Sequence, residues 1–110
     1  RSSPVEGGYV GILSADLHLP DGASLKTKRR ELQRLKSALT RRFACAVAEV
    51  DHHDLWQRAG LTLAVVCRAA ADAEAQLAAA SRFLHSDEAF QVVGESSEVV
   101  AASGEPSWSA

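Results

Sequence analysis

The sequence predicts an α+β domain of the ferredoxin-like class, with its elements in the order β-α-β-β-α-β. Two strand-helix-strand patterns follow one another between residues 9 and 98. Apolar residues alternate in the strand patterns and recur every three or four residues in the helix patterns. The length of 110 residues suits one domain with one core. We therefore expect one antiparallel four-stranded sheet with both helices on one of its faces.

The first strand is predicted from Tyr9 to Leu19, before the turn residues at 20–22. One face carries residues that are apolar or small: Tyr9, Gly11, Leu13, Ala15, Leu17 and Leu19. The other face mixes apolar and polar residues: Val10, Ile12, Ser14, Asp16 and His18. Successive side chains of a strand point to opposite faces. Because the helices cover the apolar face, we expect the mixed face to remain open and available to a partner.

The first helix is predicted to begin after the N-cap residue Ser24 and to end at Phe43. Within it, Leu32, Leu35 and Leu39 recur at spacings of three and four residues. These spacings place them on one stripe together with Phe43. We expect this stripe to pack against the core face of the sheet.

The middle of the chain predicts a hairpin followed by a second helix. Strands are predicted at residues 44–50 and 61–67, with the polar segment 51–60 between them. The alanine-rich segment from residue 72 to about residue 86 has apolar residues at helical spacing. Asp72 is the predicted N-cap of this helix.

The last strand has the weakest pattern of the four and is predicted at residues 90–97. The residues after it are rich in Ser and Ala, as is typical of an unstructured terminus. The chain is therefore divided into a flexible lead-in (1–8), a ferredoxin-like domain (9–98) and a flexible C-terminal tail (99–110).

Composition limits the classes of function that the chain can have. It contains 12 Lys and Arg and 14 Asp and Glu, for a formal net charge of −2. Any affinity for nucleic acid must therefore come from a local patch. No apolar run reaches the roughly 18 residues of a membrane span, and no signal-peptide pattern is present. With only Cys45 and Cys67, we expect a cytoplasmic protein with reduced thiols and no membrane partner.

The Lys and Arg residues are concentrated in the first helix. Eight of the 12 lie between Lys26 and Arg42, where Glu31 is the only acidic residue. A helix face that presents several cations is suited to the phosphates of a nucleic acid. The candidate nucleic-acid-binding residues are Lys26, Lys28, Arg29, Arg30, Arg34, Arg41 and Arg42. The alternative is a solvated face without a ligand, and no aromatic residue interleaves the cations to stack on bases.

A second cluster lies in the polar segment Asp51–Arg58, where His52 and His53 stand between two aspartates. Adjacent side chains on a strand point to opposite faces, so these histidines do not form a chelating pair there. We therefore predict no metal and no cofactor. Instead we expect a structural or interface loop, with the candidate residues Glu49, Asp51, Asp54, Trp56 and Arg58. Trp56 is expected to fill the end of the hairpin, and Arg58 to pair with one of the three carboxylates.

Catalysis has little support in the sequence. The chain contains no nucleophile elbow, P-loop or dinucleotide fingerprint. A hydrolase that uses the polar segment is a further hypothesis, but an acylphosphatase-type site needs a phosphate-binding loop after the first strand, and Asp21 stands there. We therefore expect a non-enzymatic protein.

Three segments of the chain resemble a known family. They are Tyr9–Pro20, Ser24–Arg30 and Val47–Ala59, which include the motifs SLKTKRR and AEVDHHDLWQRA. They are similar to the YlxP-like family of small bacterial proteins, also described as domain of unknown function 503. The resemblance implies a ferredoxin-like fold and genes that lie beside those of translation and ribosome-maturation factors, including ribosome-binding factor A. It implies no catalytic residue, and the family commonly has Gln where this chain has His53.

Two functions follow as hypotheses. The first is an RNA- or ribosome-associated accessory protein that contacts ribosomal RNA or a pre-ribosomal particle through its basic first helix. The alternative is a homo-oligomeric regulatory or scaffold module, such as a homodimer, that pairs through the open sheet face. The fold class does not choose between them, because ferredoxin-like domains have many functions.

Overall fold

A computed structural model describes residues 7–20 and 24–102 of the chain. Its elements follow the predicted β-α-β-β-α-β order. In chain order they are β1 (Tyr9–His18), α1 (Leu25–Phe43), β2 (Ala46–Asp51), β3 (Arg58–Cys67), α2 (Ala70–His85) and β4 (Gln91–Ala101). In the described part of the chain, neither helix combines the length and the hydropathy that are needed to cross a bilayer.

The four strands form one sheet in the order β2-β3-β1-β4, and every neighbouring pair is antiparallel. Strand β1 is central, so that Leu13 lies opposite Leu63 of β3 on one side and Ser97 of β4 on the other. Helix α2 packs on β1, β3 and β4, whereas α1 packs on β2 and contacts α2. The predicted α+β ferredoxin-like class is confirmed.

The core lies between the two helices and one face of the sheet. Leu35 and Leu39 of α1 are fully buried, and Leu13, Leu17 and Leu63 of the sheet belong to the same apolar cluster. On β1, buried and partly exposed residues alternate from Gly11 onward, as the sequence predicts. The predicted apolar stripe of the first helix therefore faces the core.

Local hydrogen bonds define both ends of α1. Ser24 is the N-cap, and its Oγ accepts a hydrogen bond from Thr27 N at 3.2 Å, which satisfies one backbone donor of the first turn. At the other end Ala44 has a left-handed backbone with φ 50°, and its N–H donates to Thr40 O. This geometry closes the last turn, and the helix has the predicted bounds.

The boundaries of α2 and β3 differ from the prediction. Helix α2 begins at Ala70 with Ala69 as its N-cap, so Asp72 is not the cap but lies in the first turn. A carboxylate there still interacts favourably with the positive end of the helix dipole. Strand β3 begins at Arg58 rather than Leu61 because its pairing with β1 continues to His18, the last residue of β1.

Strand β4 continues to Ala101, beyond the residue where the sequence places the start of the tail. Val99 and Val100 are strand residues because they pair with Gly11 and Val10 of β1. This pairing extends the ordered domain past its predicted end at residue 98. The rest of the predicted tail and most of the predicted lead-in (1–8) lie outside the described residues.

A polar contact joins α2 to β4. His85 Nε2 lies 2.7 Å from Glu95 Oε1, and Ser81 Oγ donates to Glu95 Oε2 at 2.8 Å. The hydrogen bond from His85 lowers the pKa of Glu95, burial partly opposes this effect, and the hydrogen bond from Ser81 reinforces it. The pKa of Glu95 therefore lies below its ordinary value of 4.5.

We expect Glu95→Gln to remove a pH-dependent part of the stability. A carboxylate whose folded pKa is lowered stabilises the fold above its unfolded pKa, and this stabilisation is lost as the pH falls through the folded pKa. Above about pH 5 the free energy of unfolding should therefore be higher for wild type than for Glu95→Gln. The difference should be less than about 1 kcal/mol, as for other surface pairs. Urea titrations from neutral to acid pH, with the exposed Glu88→Gln as control, measure this difference. A difference that stays undiminished down to about pH 2 would contradict the assignment.

Candidate nucleic-acid interface

The outer face of α1 presents most of the predicted cations to solvent. Six of the seven candidates are exposed: Lys26, Arg29, Arg30, Arg34, Arg41 and Arg42. They are exposed because Leu32, Leu35 and Leu39 fix the opposite side of the helix against the core. The helix also has two cations in its last turn, where the negative end of the dipole favours them, and no acidic residue in its first turn.

Lys28 is the exception, and its prediction as a nucleic-acid-binding residue is wrong. Its residue surface is only 1% exposed. The ammonium group donates to His52 O at 2.6 Å and to Leu55 O at 2.8 Å, and His53 O lies 3.4 Å away. Glu49 Oε2 lies 2.9 Å from Nζ and supplies the opposite charge. All of these groups belong to the protein itself, so a phosphate has no access to this lysine.

Lys28 ties three parts of the chain together. Its backbone lies in the first turn of α1, Glu49 lies on β2, and the accepting carbonyl groups belong to the loop that joins β2 to β3. Glu49 Oε2 makes no hydrogen bond of good geometry within the described part of the chain, so its interaction with Lys28 is an ion pair. A buried charge is tolerated only when opposite charge and hydrogen bonds compensate its desolvation. Lys28 therefore has a structural role.

Two further candidates are occupied by contacts within the protein. Arg34 lies 2.9 Å from Glu31 and 3.0 Å from Asp87, which joins α1 to the segment after α2. Arg42 lies over the ring of Phe83, with its guanidinium carbon 5.2 Å from the ring centroid. Both side chains are exposed in part, but their positions are fixed by these contacts. They form the border of the cationic face.

The remaining cations are Lys26, Arg29, Arg30 and Arg41. Arg30 has a distant contact of 3.8 Å with Glu31, and the other three have no acidic partner among the described residues. Their side chains are therefore available for phosphate groups. We refer to these four residues as the α1 cationic face.

A groove between α1 and the edge strand β2 adjoins this face. It has a volume of about 460 Å³ and is lined by Gln33, Lys36, Ser37, Thr40, Arg41 and Val47. Lys36, which was absent from the predicted site, adds a second cation beside Arg41. Amide and hydroxyl side chains next to cations are groups that bind phosphate oxygens. The signal for Lys36 was its place in the same basic helix.

The loop between β2 and β3 is held by hydrogen bonds of its own. Asp51 Oδ1 accepts from His52 N at 2.8 Å, and Leu55 N donates to His52 O at 3.1 Å. His52 has a positive φ of 62°, a conformation that allows the sharp turn. His53 Nε2 lies 3.1 Å from Glu49 O. The two histidines therefore have separate partners, and Asp51 stabilises the turn.

The contacts of the other loop residues differ from those predicted. Trp56 is 39% exposed and lies outside the core, so it does not fill the end of the hairpin. Arg58 does pair with a carboxylate, but its partner is Asp16 of β1. Glu49 instead pairs with Lys28, and Asp54 is exposed. The sequence cannot reveal the Asp16 pairing because it depends on the register between β1 and β3.

These features lie within a region that is shared with known proteins. A family model described as "Protein of unknown function (DUF503)" matches residues 10–96. The chain belongs to the DUF503 family. The match runs from β1 into β4 and contains Lys28, Glu49, the loop and the α1 cationic face.

A relative supports the same assignment for this DUF503 protein. The uncharacterized protein YlxP of Bacillus subtilis (strain 168) is 27% identical to it over 77 residues. The aligned region covers 70% of this chain and 84% of YlxP. The resemblance to the YlxP-like family is therefore confirmed.

The open sheet face of the DUF503 protein has an apolar end. Val10 of β1 lies between Val66 of β3 and Val100 of β4. Val66 is 77% exposed, and Val100 is also exposed. Next along β1, Ile12 lies opposite Ala64. Together these residues form an apolar surface across three strands, which we call the valine patch.

The other end of the open face is polar. Asp16 lies between Gly60 and Gly94, and the missing side chains leave a shallow hollow of about 370 Å³. His52 Nε2 approaches Asp16 Oδ1 to 3.6 Å at its rim. Within residues 7–20 and 24–102, no group of three or more His, Cys, Asp and Glu side chains is placed to hold a metal ion.

Proposed function

We propose that this chain is a non-enzymatic, cytoplasmic accessory protein that binds RNA through the α1 cationic face. Its partner would be ribosomal RNA or a pre-ribosomal particle. Binding would depend on phosphate contacts rather than base recognition, because among the described residues no aromatic side chain lies between these cations to stack on bases. The observation that carries the proposal is the cluster of Lys26, Arg29, Arg30 and Arg41 on one helix face.

Electrostatics support this proposal. The protein has a net charge of −2, so these cations are a local feature and not a property of the whole surface. The buried leucines lie on the opposite side of the same helix and orient it so that the cations face solvent. A row of cations along a helix matches the spaced negative charges of a phosphate backbone. The adjoining groove with Lys36 enlarges the surface that a backbone could follow.

We expect RNA binding to weaken steeply as salt concentration rises. If about four phosphates are neutralised, log affinity should fall against log salt with a slope of about −3. Replacing Lys26, Arg29, Arg30 and Arg41 with Gln should flatten this slope. The free energy of unfolding should change little, because exposed charges contribute less than about 1 kcal/mol per pair. Fluorescence anisotropy with a labelled ribosomal RNA fragment across a salt series measures the slope.

Matched variants distinguish the effect of the α1 cationic face on RNA binding from the effect of net charge. Arg30→Gln with Arg41→Gln removes two charges from this face, whereas Arg68→Gln with Arg82→Gln removes two exposed charges elsewhere. The first pair should weaken binding and the second should leave it nearly unchanged. Equal effects, or no RNA binding by wild type at low salt, would contradict the proposal. Sedimentation of lysates with and without RNase then tests whether the protein travels with ribosomal particles.

A homodimer that forms through the valine patch is the second candidate. The supporting observation is the exposure of Val66 and Val100 on a sheet face that no helix covers in the described residues. Large exposed apolar patches are typical of interaction surfaces. Concentration-dependent mass in sedimentation equilibrium without RNA, together with absent RNA binding, would favour this candidate.

A further inference from the structure

Strand β4 is a long edge strand, and one of its sides pairs with no other strand in the described part of the chain. It is the terminal strand in the order β2-β3-β1-β4 and, among residues 7–20 and 24–102, pairs with β1 alone. Natural proteins usually protect such edges with short strands, Lys, Pro or bulges. The segment Gly94–Ala101 has no Lys, Pro or bulge, since the one irregularity in its pairing lies before Gly94, and its charged residues are Glu95 and Glu98. The opposite edge, β2, is shorter, with six residues and a register shift.

The hydrogen-bond pattern identifies which residues of this edge are free. Ala102 N donates to Gly8 O at 2.9 Å. In an antiparallel pair, residues that exchange hydrogen bonds alternate with residues whose N–H and C=O groups point away. From Gly94 onward, the even-numbered residues of β4 therefore bond to β1, whereas Glu95, Ser97 and Val99 direct their backbone groups outward. A further strand would bond to these three residues.

A groove beside this edge can receive the side chains of an added strand. It has a volume of about 530 Å³ and lies between α2 and β4. Leu13 and Leu77 contribute apolar surface to it, and the short side chains of Ala78, Ser81 and Ser97 leave it open. Every second side chain of an added strand would point toward α2 and into this groove.

The charges along the edge select the chemistry of the partner. Glu74 and Glu95 line the groove, and Glu98 lies beside Ile12 on the open face. Neither β4 nor the groove lining contains Lys or Arg. A second copy paired through β4 would bring the carboxylates of both chains together, which like-charge repulsion disfavours. A cationic strand would instead lie next to a carboxylate on each face of the sheet.

We propose that the β4 edge binds an extended cationic polypeptide segment as a fifth strand of the sheet. Its backbone pairs with Glu95, Ser97 and Val99. Its small or apolar side chains enter the groove toward Leu13 and Leu77, while its Lys or Arg side chains approach Glu74 and Glu98. This surface goes beyond the proposed RNA function, because it is on the opposite edge of the sheet from β2 and α1 and shares no residue with the α1 cationic face.

Synthetic peptides test this proposal directly. The probe is a fluorescein-labelled peptide of sequence Lys-Val-Lys-Lys-Lys-Val-Lys-Thr, which places Val, Thr and one Lys on the groove side and the other Lys residues on the open face. The charge control replaces each Lys with Glu. We expect the wild-type protein to bind the cationic peptide and not the acidic one, with affinity that falls as salt rises. In ¹⁵N-labelled protein, the amides of Glu95, Ser97 and Val99 should shift and become protected from exchange on binding.

Variants of the edge identify the mode of binding. Ser97→Pro removes an outward N–H without removing a bond to β1 and should weaken binding at least about tenfold, whereas Ser97→Ala should bind as wild type does. Glu74→Gln with Glu98→Gln, which keeps the backbone intact, should weaken binding by roughly three- to tenfold. The variant that lacks the α1 cationic face should bind the peptide normally, which separates this proposal from RNA binding.

Several outcomes would overturn the proposal. They are equal binding of both peptides, no binding of the cationic peptide, and unchanged binding by Ser97→Pro when its fold is intact by amide spectra. Shifts confined to the valine patch or α1 would also contradict it. Concentration-dependent self-association that protects the β4 amides would show that a second copy occupies the edge instead.

Discussion

Replacing Lys28 with Met is expected to lower the free energy of unfolding by about 3–5 kcal/mol. Met keeps most of the apolar stem but removes the ammonium group. The carbonyl groups of His52 and Leu55 then lose their donor, and Glu49 loses its opposite charge. Urea denaturation followed by circular dichroism measures the loss. We also expect faster amide exchange in the loop between β2 and β3.

Two further variants test the origin of this effect. Lys26→Met makes the same chemical change at an exposed position of the same helix turn and should alter stability by less than about 0.5 kcal/mol. Lys28→Met with Glu49→Leu removes both charges, so it should be less destabilised than Lys28→Met alone. A loss below about 1 kcal/mol for Lys28→Met would show that the ion pair and its hydrogen bonds do not hold the loop.

Leu39→Ala is expected to destabilise the protein by about 2–5 kcal/mol. Leu39 is fully buried, 0% exposed, at the centre of the α1 stripe. The substitution removes apolar contact surface and leaves a cavity that the surrounding side chains fill only in part. The midpoint and slope of a urea transition give the change in the free energy of unfolding.

The control for Leu39→Ala is Gln33→Ala on the exposed side of the same helix. It tests helix propensity without creating a cavity and should change stability by less than about 0.5 kcal/mol. Similar losses for both variants would mean that the helix, and not its packing on the sheet, determines the stability at these positions.

Local patterns were sufficient to predict the elements that face the core. On β1 the alternation of buried and open residues follows from strand geometry alone, and α1 has the predicted bounds because Ser24 and the leucine stripe are both visible in the sequence. Strand β4 was harder because an edge strand is solvated on much of both faces. Its Val99 and Val100 resemble a loose tail until the pairing with β1 is known.

The errors in the predicted site have one physical cause. The position of each of these side chains depends on partners that are distant in sequence. Lys28 is four residues before Leu32 and so falls on the buried stripe, a spacing that was a signal against solvent exposure. Its partner Glu49 is 21 residues away in sequence, and its carbonyl partners lie in a loop whose path depends on the hairpin. Arg58 likewise meets Asp16 only because β1 and β3 are neighbours in the sheet.

Tyr9 and Ala101 are direct neighbours across β1 and β4, which determines how the domain responds to mechanical force. Pulling these two positions apart loads the hydrogen bonds between the strands one at a time, in an unzipping geometry. Strands pulled along their length would instead share the load among all bonds at once. The domain should therefore open at low force from this end, with β4 peeling away from β1 before the loop held by Lys28 is disturbed.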